Sequence, residues 1–355
     1  MSTPALRLSG LSHRYGATMS LQDVSLDVGD DELLVVLGPS GAGKTTLLRT
    51  VAGLETPHAG RVEMYGENVT AWSPARRDVA FVMQNFSLYP GWTVRRNLAF
   101  PLLAPSRRSG SQLRPDVDDV PEQVEWAARL LHIEGLLDRP AERLSGGEMQ
   151  RVAIGRAIVR RPRLFVMDEP LTNLDAKLRE ELRVELVVLR RELGIPMLYV
   201  THDQSEALSM GDRLAVLCAG RVLQTATAQQ VYDRPLTPQV ARLLGQPAIN
   251  MIPLHRTAGG WSVDNDDNMS VEVPSGVPEA ERLWLGIRPE AVAVEGGAHE
   301  GVVRHVEDTG PARILVVDWA GQQLRLLVDK AREWSPGDRV SPYLDEGRAC
   351  WWPRS

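Results

Sequence analysis

The stretch "GPSGAGKT" at Gly38–Thr45 constrains the fold of this 355-residue chain more than any other feature. It satisfies the eight-position phosphate-binding loop pattern. It follows the apolar run "ELLVVL" and precedes the helix-like "KTTLLRTVAG", which Gly53 would end. Small residues let the backbone turn tightly and aim N–H groups at phosphate oxygens, and the helix N-terminus adds positive potential. We therefore favour a nucleotide-binding strand–loop–helix unit over an ordinary glycine turn.

The residue types in this loop predict its contacts. The Lys44 ammonium would reach the β- and γ-phosphates, and the Thr45 hydroxyl would ligate Mg²⁺. The predicted nucleotide-contacting residues of the loop are Gly38, Pro39, Ser40, Gly41, Ala42, Gly43, Lys44, Thr45 and Thr46.

A second apolar run, "RLFVMDEP", ends in two acids. Asp168 can hold Mg²⁺, commonly through water, and Glu169 can polarise the water that attacks the γ-phosphate. Two acids after a strand are, on their own, more often a helix cap or a solvated turn. Together with the phosphate loop they predict a Mg-ATP or Mg-GTP hydrolase.

The chain is too long for one ordinary core, so two domains are expected. Up to about residue 240, apolar strands alternate with helices such as Ala176–Gly194, which predicts an α/β fold with a parallel sheet. The Pro-, Ser- and charge-rich Ala104–Pro121 predicts an irregular loop, and Glu122–Leu137 a helix. From about Leu243, short alternating runs such as Arg313–Val328 predict a small antiparallel β domain.

Composition and charge exclude several classes of function. A net charge of −6 offers no general attraction to nucleic acid or anionic lipid. Cys218 and Cys350 cannot form a disulfide framework, which fits a reducing cytoplasm. The sequence has no hydrophobic targeting stretch and no long apolar run, so we expect any membrane role to come through a partner.

A third stretch, "RLSGGEMQRVAIGRAI", also looks suited to an anion. Ser145 and Glu148 fit a capping box in front of an amphipathic helix. That interpretation leaves Gly146 and Gly147 unexplained, since each weakens a helix by up to roughly 1 kcal/mol relative to alanine. We therefore expect that some group must approach this backbone closely.

Over roughly residues 5–235 the motifs occur in an order that resembles the ATP-binding cassette (ABC) family. "LSGGEMQ" resembles its signature loop, "HRYG" its adenine-stacking aromatic, "FVMQNFSLYPGWTV" its Q-loop, "LTNLDA" its D-loop and "VTHD" its switch-histidine motif. The resemblance implies that Tyr15 stacks on adenine and that Gln84 lies near Mg²⁺ and the attacking water. It also implies that Asp175 lies at a dimer interface and that His202 contacts the γ-phosphate.

In such proteins two cassettes face head-to-tail, and each ATP lies between one phosphate loop and the partner's signature loop. The resemblance thus assigns Ser145, Gly146, Gly147 and Glu148 to the nucleotide of a second copy or close homologue. The implied catalytic residues are Glu169, His202 and Gln84, and the implied Mg²⁺ ligands are Thr45, Gln84 and Asp168. Glutamate at 148, where many relatives carry glutamine, leaves its ribose-side contact open.

The segments "LGQPAINMIPL" and "LGIRPEAV" resemble the OB-like regulatory domain on the ATPases of carbohydrate importers. The expected architecture is a P-loop ABC ATPase domain over 1–235, a mixed sheet with a helical subdomain at about 83–160, followed by a small all-β OB-like domain over 236–355. The implied function is the ATP-hydrolysing motor of a binding-protein-dependent importer of a carbohydrate or sugar-like solute. Importers of polyamines, iron, sulfate or molybdate remain an alternative.

The implied partners are two transmembrane permease subunits and an extracytoplasmic solute-binding protein acting through them. The chain would then be a peripheral protein on the cytoplasmic face of the inner membrane. A P-loop kinase or GTPase gives no role to Ser145–Gly147 or His202.

An ABC ATPase acting on DNA or ribosomes could use tryptophans of the C-terminal region as stacking platforms. Residues 241–355 hold 12 Lys and Arg against 17 Asp and Glu, a net charge of −5, which is the wrong sign for a phosphate-tracking groove. We therefore expect no nucleic-acid partner, and core packing or a protein interface as the role of the tryptophans.

Overall fold

The computed structural model describes residues 3–103, 119–258, 260–264, 266–277 and 279–354. It divides the chain into two compact units, Met1–Ala228 and Gln229–Ser355. The irregular loop predicted from residue 104 lies outside the described residues up to 118. None of the described helices has the length and apolar character needed to cross a bilayer.

The first unit contains two sheets and the helices around them. Its strands are β1 (Leu6–Tyr15), β2 (Thr18–Val28), β3 (Leu33–Leu37), β4 (Ala59–Met64), β5 (Glu67–Asn68), β6 (Val79–Val82), β7 (Leu164–Asp168), β8 (Met197–Thr201), β9 (Arg213–Cys218) and β10 (Arg221–Ala226). Its helices are α1 (Lys44–Ala52), α2 (Pro74–Arg77), α3 (Val94–Leu103), α4 (Val120–Leu130), α5 (Gly146–Ile158), α6 (Ala176–Leu193) and α7 (Gln204–Met210).

The larger sheet has the strand order β10-β9-β3-β8-β7-β6, and every neighbouring pair is parallel except β10 with β9. All residues of β3 and β8 are buried, as is usual for parallel strands covered on both faces. The predicted α/β fold is confirmed. Because β3, β8 and β7 are adjacent and parallel, the segments that follow them leave from the same edge of the sheet.

The smaller sheet is antiparallel, with the order β2-β1-β4-β5. The sequence analysis did not distinguish this sheet from the parallel one, because buried and exposed residues alternate only imperfectly along β1 and β2. The pairing of these two strands also carries register shifts. One hydrophobic cluster includes Leu21 of β2, Leu34 of β3, and Leu47 and Val51 of α1. Helix α1 is therefore held by apolar contacts with residues of both sheets.

The C-terminal end of α1 is fixed by a buried arginine. The Arg77 guanidinium donates hydrogen bonds to the carbonyls of Thr50 (2.7 Å), Val51 (2.8 Å) and Thr70 (2.8 Å). A Cβ on Gly53, which ends α1 with φ 77°, would lie 2.7 Å from Arg77 Nε. Burial lowers the pKa of Arg77 to about 10. A cation at a helix C-terminus complements the helix dipole, so Arg77 stabilises the helix that carries Lys44.

The predicted helix Glu122–Leu137 is partly wrong. Helix α4 begins earlier, at Val120, with Pro121 in its first turn, and it ends at Leu130. The chain then turns at His132, which has φ 55°, and forms a short 3₁₀ turn at Glu134–Leu136. Positive φ is unfavourable for a residue with a Cβ. The end of α4 could not be read from the sequence, because this position is not a glycine.

The second unit contains an antiparallel β domain, which was predicted for this region, and two short helices, which were not. The helices are α8 (Ala228–Asp233), whose first residue ends the first unit, and α9 (Pro238–Leu243). The strands are β11 (Asn250–Thr257), β12 (Gly260–Val263), β13 (Asp266–Val271), β14 (Arg282–Ile287), β15 (Val292–Ala293), β16 (Gly301–Asp308), β17 (Arg313–Trp319), β18 (Gln322–Val328), β19 (Arg339–Val340), β20 (Tyr343–Leu344) and β21 (Cys350–Pro353). They form the sheets β13-β12-β11-β14-β21, β15-β20 and β18-β17-β16-β19.

The tryptophans of this unit belong to its hydrophobic clusters. Trp319, Trp334 and Trp352 are buried, and Trp261, Trp284 and Trp351 pack against the same clusters. The prediction that they serve packing is confirmed. A stacking platform for nucleic acid would instead need exposed aromatic faces beside positive charge.

Arg288, in the stretch "LGIRPEAV", ties α8 and α9 to the β domain. Its guanidinium donates to the carbonyls of Tyr232 (3.0 Å), Ala241 (3.3 Å) and Leu244, and lies 4.0 Å from the centre of the Tyr232 ring. Trp352 Nε1 donates to the Pro235 carbonyl at 3.1 Å. These contacts explain why the units divide at 228/229, seven residues before the end of the α/β domain predicted at 235.

Replacing Arg288 with Met should destabilise the second unit by about 2–4 kcal/mol, because three backbone carbonyls lose a charged donor inside the protein. Six of the nine tryptophans lie in residues 261–352, so tryptophan fluorescence during urea unfolding reports mainly on this unit. Arg325→Met, on an exposed position of β18, is the control and should have little effect. Equal effects of the two changes would contradict the assigned role of Arg288.

Candidate functional site

The phosphate loop is shaped by two glycines that no larger residue could replace. A Cβ on Gly38 would lie 2.3 Å from the Leu217 carbonyl oxygen, and a Cβ on Gly43 would lie 2.4 Å from that of Ser20. Gly43 also has φ 103°, a left-handed conformation that favours glycine. The loop is therefore pressed between the backbones of β9 and β2, immediately before α1.

Lys44, the first residue of α1, is buried beneath this loop. Its Nζ donates to the carbonyls of Gly38 (2.8 Å) and Pro39 (3.2 Å), and it lies 3.2 Å from Glu169 Oε1. The side chain is 6% exposed, so the ammonium exchanges water for these oxygens. This environment holds a positive charge at the N-terminus of α1.

Glu169 follows β7 and contacts basic groups on two sides. Its Oε1 faces Lys44, and its Oε2 lies 2.8 Å from His202 Nδ1, just after β8. The Thr172 hydroxyl also donates to Oε2 at 3.4 Å. Glu169 has φ 46°, a strained conformation of the kind that clusters at functional sites and persists only where the surroundings hold it.

Asp168 and Thr45 form an oxygen pair next to Lys44. The Thr45 hydroxyl donates to Asp168 Oδ1 at 3.3 Å. Burial raises the pKa of the Asp168 carboxyl and the charge of Glu169 raises it further, whereas the Thr45 hydrogen bond and the charge of Lys44 lower it. A hydroxyl and a carboxylate side by side are the donors that a divalent cation such as Mg²⁺ prefers, so these residues fit that ion.

Two predicted site residues make fewer contacts with this centre. Gln84 is exposed, and its backbone carbonyl, rather than its side chain, accepts a hydrogen bond of 3.1 Å from Asn173 Nδ2. Tyr15 ends β1 with 49% of its surface exposed, and its hydroxyl donates to Glu55 at 3.2 Å. Both roles therefore stay predictions.

The signature segment, Leu144–Gln150, begins α5 with the predicted capping box. The Glu148 backbone N–H donates to Ser145 Oγ (3.3 Å), and the Ser145 N–H donates to Glu148 Oε2 (2.7 Å). The hydrogen bond from the Ser145 backbone holds the pKa of Glu148 below its usual value, with a smaller contribution from Arg139. The capping interpretation is confirmed.

The glycines of this segment differ in what surrounds them. A Cβ on Gly147 would lie 2.7 Å from Leu178 Cδ2, so a larger residue there would require the end of the Leu178 side chain to move. A Cβ on Gly146 would meet only Leu174 at 3.4 Å, an ordinary contact. A close approach to the backbone is therefore found at Gly147, where Leu178 makes it, and stays a prediction at Gly146. Among the described residues, no hydrogen bond or ion pair joins Ser145–Glu148 to the phosphate loop.

Two roles escaped the sequence analysis. Asp175 caps α6 by accepting a 3.0 Å hydrogen bond from the Leu178 N–H, a role that the spacing of an acid before an apolar helix could have indicated. Gln150 lies on the buried face of α5, and neither of its amide atoms has a hydrogen-bond partner among the described residues. A lone polar residue on an apolar helical stripe was the available signal.

Family comparisons agree with this geometry. The model described as "ABC transporter" matches residues 21–172, and the one described as "TOBE domain" matches residues 285–351. An sn-glycerol-3-phosphate import ATP-binding protein of Chromohalobacter salexigens is 46% identical, with 95% of this chain and 90% of that protein covered. A trehalose import ATP-binding protein of Mycobacterium tuberculosis is 43% identical, with 77% of this chain and 68% of that protein covered.

Solved structures give the same result for the first unit. A nucleotide-free ATP-binding cassette from an ABC transporter is 25% identical with a TM-score of 0.60, covering 68% of this chain and 98% of that one. A dimeric ATP-binding cassette in a post-hydrolysis state, bound to ADP and Pi, is 27% identical with a TM-score of 0.54, covering 63% of this chain and 98% of that one.

Gln150→Met should raise the free energy of unfolding by about 1 kcal/mol, because the change keeps the side-chain length and removes an amide buried without a partner. Urea unfolding of the whole chain measures the effect. Gln22→Met is the matched control and should not stabilise the chain, since the Gln22 amide bonds to the Ala219 carbonyl (3.3 Å) and to Arg221 (3.1 Å). A clear loss of stability in Gln150→Met would show that the amide is satisfied.

Proposed function

The chain belongs to the ABC transporter family, and from that premise we propose that it is the ATP-hydrolysing subunit of an importer for a carbohydrate or sugar-like solute. The ABC ATPase domain binds ATP. The observation that carries the proposal is Glu169, held between Lys44 and His202 at the edge where β3, β8 and β7 end. The choice of solute is supported by the import of sn-glycerol-3-phosphate and trehalose by the systems named for its relatives.

In the proposed reaction every residue except Gln84 acts from the position described above. The phosphate loop, Lys44 and the N-terminus of α1 bind the phosphates, and Thr45 and Asp168 would hold Mg²⁺, with Gln84 as a further ligand. The Glu169 carboxylate orients the attacking water, and His202 contacts the γ-phosphate. Bound Mg²⁺ would neutralise charge that develops on the transferred phosphoryl group.

The complete site would contain two chains. Ser145, Gly146, Gly147 and Glu148 begin a different helix from Lys44, and a dimeric cassette bound to ADP and Pi is among the similar structures. We assign these four residues to the ATP of a second copy or a close homologue, Asp175 to the interface between the copies, and Tyr15 to adenine stacking. Closure would follow from a higher affinity of the closed dimer for ATP.

The permease would dock near the helical region of the first unit. A groove of ≈ 400 Å³ is lined by residues that include Ser87, Tyr89, Phe100, Arg156 and Arg160. Tyr89, Trp92 and Phe100 form an aromatic cluster with ring centres 4.5–5.6 Å apart, and Tyr89 and Phe100 are partly exposed. Exposed aromatic residues beside arginine are common at protein interfaces.

Through two permease subunits the chain would be peripheral, on the cytoplasmic face of the inner membrane, and a solute-binding protein would act from the other side. The second unit, which contains the TOBE match, would be regulatory. Its net negative charge gives no support to a nucleic-acid partner.

Glu169→Gln should keep ATP binding and reduce ATP turnover by about 10²–10⁴-fold, because a neutral amide cannot accept a proton from the attacking water. Lys44→Ala should instead weaken ATP binding itself. Turnover, equilibrium ATP binding and gel filtration with Mg-ATP separate the two, since only Glu169→Gln should accumulate an ATP-bound dimer. The control is Glu67→Gln, an exposed glutamate on β5. Normal turnover in Glu169→Gln would refute the proposed function.

A mixed dimer tests whether the site is shared between chains. One chain carries Ser145→Arg, the other carries Lys44→Ala, and two different affinity tags isolate the pair. If each ATP lies between two chains, both defects fall in one site and the other site stays intact. The mixed dimer should then hydrolyse ATP faster than either mutant homodimer. Activity no higher than that of the homodimers would mean that the phosphate loop and the signature segment of one chain bind the same nucleotide.

A further inference from the structure

The segment Gln84–Ser87, called the Q segment below, contains two consecutive strained residues. Phe86 has φ 48° and Ser87 has φ 51°, and neither is a glycine. Left-handed backbone at residues with a Cβ is strained and persists only where neighbouring groups hold it. Some contact must therefore stabilise this bend.

Arg156, near the end of α5, supplies that contact. Its Nη1 donates to the Ser87 carbonyl at 2.6 Å and its Nη2 to the Phe86 carbonyl at 3.3 Å. Within the described residues no carboxylate lies at ion-pair distance from Arg156, and burial lowers its pKa. The guanidinium thus donates to two backbone carbonyls. Its planar pair of donors matches two acceptors better than a single ammonium group would.

The other end of the Q segment is held from the catalytic side. Asn173 Nδ2 donates to the Gln84 carbonyl at 3.1 Å, and Asn173 lies four residues after Glu169 on the same loop. The Q segment therefore spans from the catalytic loop to α5. Helix α5 is continuous from Gly146 to Ile158, so a displacement at Arg156 also moves the Ser145 cap.

We propose that Arg156 is a positioning residue, which holds the strained Q segment so that Gln84 and the Ser145 end of α5 move together. The inference rests on the proposed function, because it assigns Arg156 a role in ATP turnover. Arg156 would act through the Phe86 and Ser87 carbonyls, to which its guanidinium donates. Its guanidinium also lines the aromatic groove, so a permease segment bound there would press on the same link.

Arg156→Ala should lower the kcat for ATP by about 10- to 100-fold, since small misplacements of positioning groups are costly, and leave the ATP dissociation constant within about twofold of the wild type. Arg156→Lys should give an intermediate kcat, because one ammonium cannot match the paired donors. Arg151→Ala is the matched control. Arg151 also lies on α5, donates to the Leu131 carbonyl at 3.1 Å and pairs with Glu185 at 2.6 Å, and it does not line the groove. It should leave the kcat unchanged.

A rescue experiment separates positioning from general damage to α5. Adding Ser87→Gly to Arg156→Ala should recover about half or more of the lost kcat, because glycine adopts positive φ without strain and the bend then needs less support. Adding Ser87→Ala, which removes the hydroxyl contact with Met83 Sδ (3.5 Å) but keeps the Cβ, should recover nothing.

The outcomes can be told apart. A kcat unchanged in Arg156→Ala, equal losses in Arg156→Ala and Arg151→Ala, or equal rescue by Ser87→Gly and Ser87→Ala would overturn the inference. A wild-type chain with no ATP turnover would instead overturn the proposed function. If Arg156→Ala does not fold, Arg156→Lys with the two Ser87 changes gives the same comparison.

Discussion

The burial of one ammonium group, that of Lys44, organises the whole first unit. A buried cation needs oxygen ligands in place of water, and here they are two loop carbonyls and Glu169. The carbonyls are available because glycines let the phosphate loop fold against β9 and β2. Glu169 can reach Lys44 because the strand order β3-β8-β7 brings the ends of β3 and β7 to the same sheet edge, on either side of β8. His202 follows β8 at this edge. The sheet, the loop and the strained backbone of Glu169 together satisfy this single charge.

Features that depend on neighbours along the chain could be predicted from the sequence. The phosphate loop, the stop of α1 at Gly53, the Ser145–Glu148 capping box and the end of α6 at Gly194 are all fixed by residues a few positions apart. Glycine caps and capping boxes are local hydrogen-bonding patterns, so their residue types are sufficient evidence. The predicted roles of Asp168, Glu169 and His202 rest on an order of motifs, and the structure places these residues together at one sheet edge.

Features that depend on contacts far apart in the chain could not be predicted. Leu178 on α6 lies close to the backbone of Gly147, and Arg77 holds carbonyls of α1 and of Thr70. Arg288 binds carbonyls more than forty residues earlier, which moves two helices into the second unit. Nothing local in the sequence identifies which distant backbone an arginine will meet. By contrast, the left-handed turn at His132 is closed locally, by hydrogen bonds from the His132 N–H to the Arg129 carbonyl (3.1 Å) and from the Ile133 N–H to the Ala128 carbonyl (2.9 Å), and it was missed because histidine instead of glycine occupies the positive-φ position.

The two helix ends that look alike in the sequence differ in charge. The N-terminus of α1 already carries Lys44, whereas at the N-terminus of α5 the capping box satisfies the Ser145 and Glu148 N–H groups. By helix geometry the N–H groups of Gly146 and Gly147 have no acceptor within the helix. The N–H groups at the start of α5 attract an anion. No lysine stands in the first turn of α5 to bind that anion within one chain. In the proposed dimer the donors at the start of α5 would therefore complete the binding of a γ-phosphate that Lys44 of the second copy holds, and hydrolysis would then require both copies.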